Sequence, residues 1–318
     1  MSRPRIASYW ASACGGCDVA LLDVHERLLE LAERVEIVFW PIALDAKYAD
    51  VEALPDGAID LTLLNGAIQT SHHEAMAHLL RRKSKTLVAC GSCAHIGGIP
   101  GLANLFNREQ IFQAVYRDAP SVDSDDVVPL TRTETPVGAL ELPELHSTVR
   151  TLSQVVEVDY SLPGCPPPAE RVWEALQAAL DGALPPRGAV LGATDQTQCE
   201  DCPREKRELR VSSFRRIATE QPEPERCLLE QGFLCLGPAT RGGCGALCQR
   251  SGVGCRGCFG PPPGVLDQGA KALGAVASVL ECDDEARAAE LVGEIPDPVR
   301  SFARFSIPSS LLRRRSLP

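Results

Sequence analysis

The sequence predicts an α/β protein: a doubly wound parallel sheet followed by an irregular, cysteine-rich segment. Three observations carry that prediction. From residue 5 to about 181, short apolar runs alternate with amphipathic stretches of helical period, the pattern of strand–helix–strand units. In this first part the turns that follow three of the apolar runs carry cysteines. Beyond it, eight of the fourteen cysteines fall within the sixty residues Cys199–Cys258, where regular apolar patterning thins and glycine and proline rise. Such a segment builds little core from side chains alone, so a bound group or cross-link must hold it.

Taken in order, Arg5–Ala11 reads as a buried strand and runs into the loop Ser12-Ala13-Cys14-Gly15-Gly16-Cys17. Asp18–Arg34 follows as one helix, with Leu21, Leu22, Leu28, Leu29 and Leu31 on its apolar face. Val35–Trp40 and Ile59–Asn65 are the second and third strands. Ser71-His72-His73-Glu74 has the form of a capping box opening a helix to about Arg82. Thr86–Cys90 is the fourth strand, leading into Gly91-Ser92-Cys93-Ala94-His95 and Gly97-Gly98-Ile99-Pro100-Gly101. Residues Arg117–Glu144 are polar and proline-punctuated, as expected of a surface excursion. Val155–Asp159 reads as the fifth strand, ahead of Pro163-Gly164-Cys165-Pro166-Pro167, with a helix from about Ala169 to Asp181.

Pro185-Pro186-Arg187-Gly188 marks the expected boundary between a flavodoxin-like domain, residues 1–184, and a cysteine-rich domain, residues 185–318. In the latter, Ala270–Leu280 and Glu285–Val292 are expected helices. The tail with Arg313, Arg314 and Arg315 reads as a solvated or partner-bound end.

The net charge of −10 and a pI near 5.2 argue against nucleic acid or an acidic membrane as partner. No apolar run reaches the roughly 20 residues of a membrane span. Arg3 and Arg5 lead directly into a strand, without room for a secretory leader. The expectation is a cytoplasmic protein, in which fourteen cysteines point to metal rather than disulfides.

Cys14 and Cys17 follow the first strand, Cys93 the fourth and Cys165 the fifth. In an open parallel sheet, ligands bind beyond the carboxyl ends of strands at a switch in strand order, so these four should converge on one crevice. With Cys199, Cys202, Cys227, Cys235, Cys244, Cys248, Cys255 and Cys258 they make twelve, three sets of four. Both a 4Fe-4S cluster and structural zinc take four thiolates, so the count does not discriminate. Context favours clusters: the first set spans some 150 residues, whereas zinc sites use local knuckles, and glycines beside each cysteine let backbone approach a bulky inorganic core.

Cys14-Gly15-Gly16-Cys17 opening a helix, Gly91-Ser92-Cys93 with Gly97–Gly101, and Pro163-Gly164-Cys165-Pro166-Pro167 resemble the small subunit of nickel–iron hydrogenases. They also resemble the cluster-bearing subunit of respiratory complex I. The two-residue gap between Cys14 and Cys17 and the second cysteine-rich segment favour the hydrogenase side. Cys199-Glu200-Asp201-Cys202-Pro203-Arg204, Cys227–Gly232 and Gly237–Cys244 are similar to the cytoplasmic methyl-viologen-reducing group, which works beside a heterodisulfide reductase or similar acceptor. The resemblance runs from about residue 5 to 265.

It implies an electron-transfer subunit with three 4Fe-4S clusters and a nickel–iron centre in a separate large subunit. A proximal cluster would sit on Cys14, Cys17, Cys93 and Cys165, and a distal one on Cys199, Cys202, Cys227 and Cys235. A medial one would sit on Cys244, Cys248, Cys255 and Cys258. Many relatives have three cysteines at the medial site; Cys248 makes a fourth and implies 4Fe-4S rather than 3Fe-4S. The large subunit should cover the surface near Cys14–Cys17 and Gly97–Gly101. The alternatives are a complex I-like subunit with extra clusters and a structural zinc protein acting as an interaction module.

Other polar groups have plainer readings. Cys90, closing a strand, fits a buried thiol, and Cys282 has no assigned role. His95 fits a donor to a cluster sulfide or a structural hydrogen bond. His72 and His73 suit solvated positions, and Asp18 the electropositive helix start. The glycines at 97–101 lack the dinucleotide-binding spacing. A flavin has no room where four cysteines fill the crevice.

Overall fold

The computed structural model describes residues 3–123 and 127–312. Its strands are β1 (Arg5–Trp10), β2 (Glu36–Phe39), β3 (Ile59–Asn65), β4 (Ile68–Thr70), β5 (Ser84–Cys90), β6 (Arg132–Thr135), β7 (Gly138–Glu141), β8 (Leu145–Arg150) and β9 (Tyr160–Leu162). Five form one parallel sheet in the order β2-β1-β3-β5-β9. The predicted doubly wound α/β fold is therefore present, and the strand order reverses between β1 and β3.

Alternation along β5 explains the two layers. Val88 and Cys90 face a cluster built with α1 (Gly16–Leu22), α2 (Arg27–Arg34) and α7 (Ala169–Leu180), through Leu21, Leu31, Val172, Trp173 and Leu176. Leu87 and Ala89 face the opposite cluster, where α3 (Tyr48–Ala53) contributes Val51 and α4 (Ser71–Lys83) contributes Met76, Ala77, Leu79 and Leu80. A strand buried on both sides reads as a continuous apolar run, as β3 does.

Several boundaries differ from expectation. The single helix over Asp18–Arg34 is two, α1 and α2, because the chain turns at Asp23–Glu26 with His25 in the left-handed region at φ 57°. The fifth strand is β9, not Val155–Asp159. The valines there pack as a loop against the α4 layer, after a turn in which Thr151 and Gln154 cap each other. Burial rather than ladder pairing satisfies them. Asp159 then accepts from the Leu87 amide at 2.8 Å and Arg81 at 2.6 Å, anchoring the approach to β9. The cap of α4 is Thr70, which accepts from the His73 amide at 3.2 Å; Glu74 pairs with Arg150 at 2.7 Å.

After α5 (Gly91–Ile96) and α6 (Arg108–Tyr116), the polar excursion carries the exposed hairpin β6–β7. Beyond residue 184 regular structure is sparse: α8 (Gln198–Asp201), α9 (Leu247–Arg250), α10 (Gln268–Ala277), α11 (Glu285–Gly293) and α12 (Pro298–Phe302). This part nonetheless has an apolar core, in which Leu228, Leu229, Phe233 and Cys255 pack with Val276, Ile295 and Phe302. Side chains from α10 and α12, with Ile295 before α12, thus do part of the work expected of a bound group.

The end of the described chain returns to the sheet. Pro308 lies directly over Gly97 and Gly101, where side chains would collide with its ring. The Gly98 amide donates to the Phe305 carbonyl at 2.8 Å, and Gln154 Nε2 donates to the Pro308 carbonyl at 2.7 Å. Among the described residues, no helix is long and apolar enough to cross a membrane. The arginine tail at 313–315 lies outside the described residues.

Candidate metal centre

The carboxyl ends of β1, β5 and β9 carry the first four cysteines to one edge of the sheet. Trp10 Nε1 donates to the Ala13 carbonyl at 3.0 Å and ties back the loop that bears Cys14. Gly15, in the left-handed region, opens α1 so that Cys17 falls in its first turn. Gly91 starts α5 at φ 79°, and a side chain there would run into the Cys17 sulfur. At Gly98 an added Cβ would lie 2.5 Å from the Cys93 sulfur. The backbone is therefore pared away where the sulfurs sit.

These thiols feel one another. Cys93 is pushed up to about 12 by burial and by neighbouring Cys165, Cys17 and Cys14. Cys165 rises to about 11, by partial burial and then by Cys14 and Cys17. Cys17 is raised most, first by a hydrogen bond with Cys90 and then by burial. Cys90 is buried as expected, and it touches a predicted ligand. Thiols this reluctant to ionise alone suit a cationic centre, which stabilises thiolates directly.

The second group gathers around Gly237, where a Cβ would lie 3.2 Å from the Cys199 sulfur and 3.6 Å from that of Cys235. Burial raises Cys199, with Cys227 and Cys202 adding to it against the opposing charge of Lys206. Burial also raises Cys235. In the third group Cys248 is raised by burial and then by Cys244. Cys255 and Cys258 each reach about 12, chiefly through burial, and both sense Cys244. Cys244 Sγ also lies 3.1 Å from Gln198 Oε1. Cys282 belongs to none of these groups.

The groups also touch one another in a fixed order. Cys165 lies beside the Cys258 thiol and raises it, joining first to third. The Cys255 amide donates to the Cys235 sulfur at 3.2 Å, joining third to second. Ser92 Oγ stands 2.8 Å from the Gly164 carbonyl and 2.6 Å from that of Cys258. Its one proton serves one of these carbonyls at a time. Among the described residues, no three His, Cys, Asp or Glu side chains converge as a single ion would require.

Asp18 lies in the first turn of α1, as expected, and it is buried there. It is 2% exposed and accepts from Trp40 Nε1 and Asn65 Nδ2, both at 2.9 Å, with Ser8 Oγ at 3.4 Å. His72 and His73 are half-buried rather than solvated. His72 meets the Tyr48 ring edge-on, and burial lowers His73 to about 4. Burial and the charge of Arg241 lower His95 to about 4 as well. The Gly97–Gly101 loop, expected beneath a large subunit, is largely covered by this chain's own Phe305–Pro308. Sequence reasoning missed Ser92 and Arg204, whose partners lie far along the chain.

The chain matches the family described as "NADH ubiquinone oxidoreductase, 20 Kd subunit" over residues 14–179. It is 38% identical to the iron-sulfur subunit of the F420-non-reducing hydrogenase of Archaeoglobus profundus, over 98% of both chains. The chain belongs to the family of hydrogenase iron–sulfur subunits. It is thus a component of an oxidoreductase complex. The corresponding subunit of the vhu F420-non-reducing hydrogenase of Methanocaldococcus jannaschii is 41% identical over 95% of this chain and 94% of that one. The likeness therefore extends past residue 265, where the motif resemblance stops.

Among solved structures, the NAD+-reducing [NiFe]-hydrogenase aligns with 57% of this chain and 94% of its own, at 32% identity and a TM-score of 0.50. The [NiFeSe]-hydrogenase of Dm. baculatum covers 83% of this chain and 96% of its own, at 19% identity and a TM-score of 0.51. The latter bears on the fold alone.

Proposed function

We propose that this chain is the electron-transfer subunit of a cytoplasmic nickel–iron hydrogenase, with three 4Fe-4S clusters. In this reading Cys14, Cys17, Cys93 and Cys165 hold the proximal cluster. Cys244, Cys248, Cys255 and Cys258 hold the medial one, and Cys199, Cys202, Cys227 and Cys235 the distal one. Bound clusters would pass electrons singly between the nickel–iron centre of a large subunit and a heterodisulfide reductase-type or similar acceptor. The division near residue 184 then separates a proximal-cluster domain from a domain bearing the other two.

The observation that carries this reading is the contact order first–third–second, made at one junction by Ser92 and Cys165 beside Cys258 and at the other by the Cys255 amide on the Cys235 sulfur. The amide bond to Cys235 favours the charged, thiolate form of that sulfur and fixes its distance to the next group. Cysteines brought together from three separate strand ends and from distant loops suit clusters, whose ligands bind separate irons, better than local zinc knuckles. The chain's own part is to hold the sulfurs, direct N–H groups at them and keep water away. Trp10, Val19, Leu22 and Ile99 are exposed apolar side chains near the first group, and they fit an obligate large-subunit interface.

Metal analysis and EPR spectra of the purified complex test the proposal. The expected result is about twelve irons per chain with no stoichiometric zinc. About four irons or fewer would overturn the three-cluster reading.

A further inference from the structure

We propose that Arg204 is a positioning residue that ties together the loops of the distal and medial groups and raises the reduction potentials of both. The inference rests on the three-cluster reading above. Arg204 follows Cys202 by two residues and is 8% exposed. Its Nε donates to the Gln249 carbonyl at 2.9 Å, and its Nη1 donates to the carbonyls of Glu223 at 2.6 Å and Arg226 at 3.1 Å. Gln249 is the residue after Cys248, and Arg226 the residue before Cys227. The Cys227 amide in turn donates to the Glu205 carbonyl at 2.8 Å, one residue beyond Arg204. One side chain rooted beside a distal cysteine thus grips backbone next to another distal cysteine and next to a medial one.

The guanidinium's partners are carbonyls. Among the described residues no carboxylate forms an ion pair with Arg204. The buried carboxylate nearby, Glu230, is taken by Arg226 Nε at 3.4 Å and by the Arg207 amide at 2.6 Å. A cation that keeps its charge at every working pH is therefore held out of water without a counter-ion. Each reduction adds an electron to a thiolate-ligated centre, so a fixed positive charge beside it stabilises the reduced form. A loop staple alone would require only the hydrogen bonds.

Two substitutions separate charge from staple. Arg204→Gln removes the charge and keeps an amide donor; Arg204→Lys keeps the charge and loses the planar, three-carbonyl grip. EPR-monitored redox titration and iron analysis of the whole complex provide the readouts. In Arg204→Gln with full iron, the redox equilibria of the medial and distal clusters should shift toward the oxidised form. The expected shift is on the order of tenfold, about 59 mV for a one-electron couple. The proximal cluster should not move, and Arg204→Lys should stay within about threefold of the unsubstituted complex.

Equal shifts in Gln and Lys variants, a shift of all three clusters, or none with full iron would overturn the proposal. Should Arg204→Gln lose iron from the outer groups, Arg204→Lys decides: retained potentials support the charge, and a tenfold shift refutes it. An unsubstituted complex with about four irons or fewer fails at the earlier step, taking down the three-cluster reading itself.

Discussion

Replacing Gly91 by alanine should empty the first thiol group in a share of the molecules, and the size of the effect can be worked from its surroundings. Gly91 has φ 79°, a conformation that costs an L-residue about 1–2 kcal/mol. The new methyl would also point into the Cys17 sulfur, adding about 1–3 kcal/mol for overpacking. Gly182 supplies the control. It has φ 66° with nothing within 4 Å of an added Cβ, so Gly182→Ala pays the backbone cost alone. The difference of about 1–3 kcal/mol corresponds to roughly a 5- to 150-fold loss in closing the group around its ligand. The assay is iron per chain, with EPR of the reduced complex. Gly91→Ala should fall from about twelve irons toward about eight, while Gly182→Ala should stay full. Equal iron and identical spectra in the two variants would refute the reasoning that backbone clearance at Gly91 serves the Cys17 sulfur.

Cys248→Ala should cost about one iron per chain and convert one 4Fe-4S spectrum to that of a 3Fe-4S cluster at higher potential; an unchanged iron count would remove Cys248 from the medial group. Asp18→Ala leaves the Trp40 indole N–H and the Asn65 amide buried without an acceptor. That should destabilise by about 2–5 kcal/mol, seen as faster thermal inactivation of the complex. Asp18→Asn should cost less, because one acceptor oxygen remains. His73 is held neutral down to about pH 4 in the fold but protonates near 6.5 when unfolded. The unfolded chain therefore binds more protons between pH 6.5 and 4, and stability falls as pH drops through that window. His73→Gln should flatten the dependence of the thermal midpoint on pH there, by roughly 1–2 °C.

The sheet was legible because its central strands are buried on both faces. The Ile59–Asn65 and Thr86–Cys90 runs have little alternative use. The location of Cys14, Cys93 and Cys165 followed from the rule that parallel strands present their carboxyl ends to ligands. β9 was displaced by a few residues because its preceding valines bury themselves as a loop, and β propensity does not distinguish those two fates. The break at His25 had no glycine or proline to mark it. Grouping the later eight cysteines depended on resemblance, since their sequence spacing admits several partitions. Ser92 and Arg204 were invisible for a different reason: each acts on carbonyls whose distance along the chain leaves no local pattern.

The return of Phe305–Pro308 onto Gly97–Gly101 has a consequence in time. Every cysteine of the first group has been synthesised once Cys165 is made, yet the proline that roofs the adjoining loop comes about 140 residues later. At about 5–20 residues per second, a ribosome needs roughly 7–30 s to cover that interval. For that long the nascent chain has its first four thiols complete while the cover of its Gly97–Gly101 loop is still unmade.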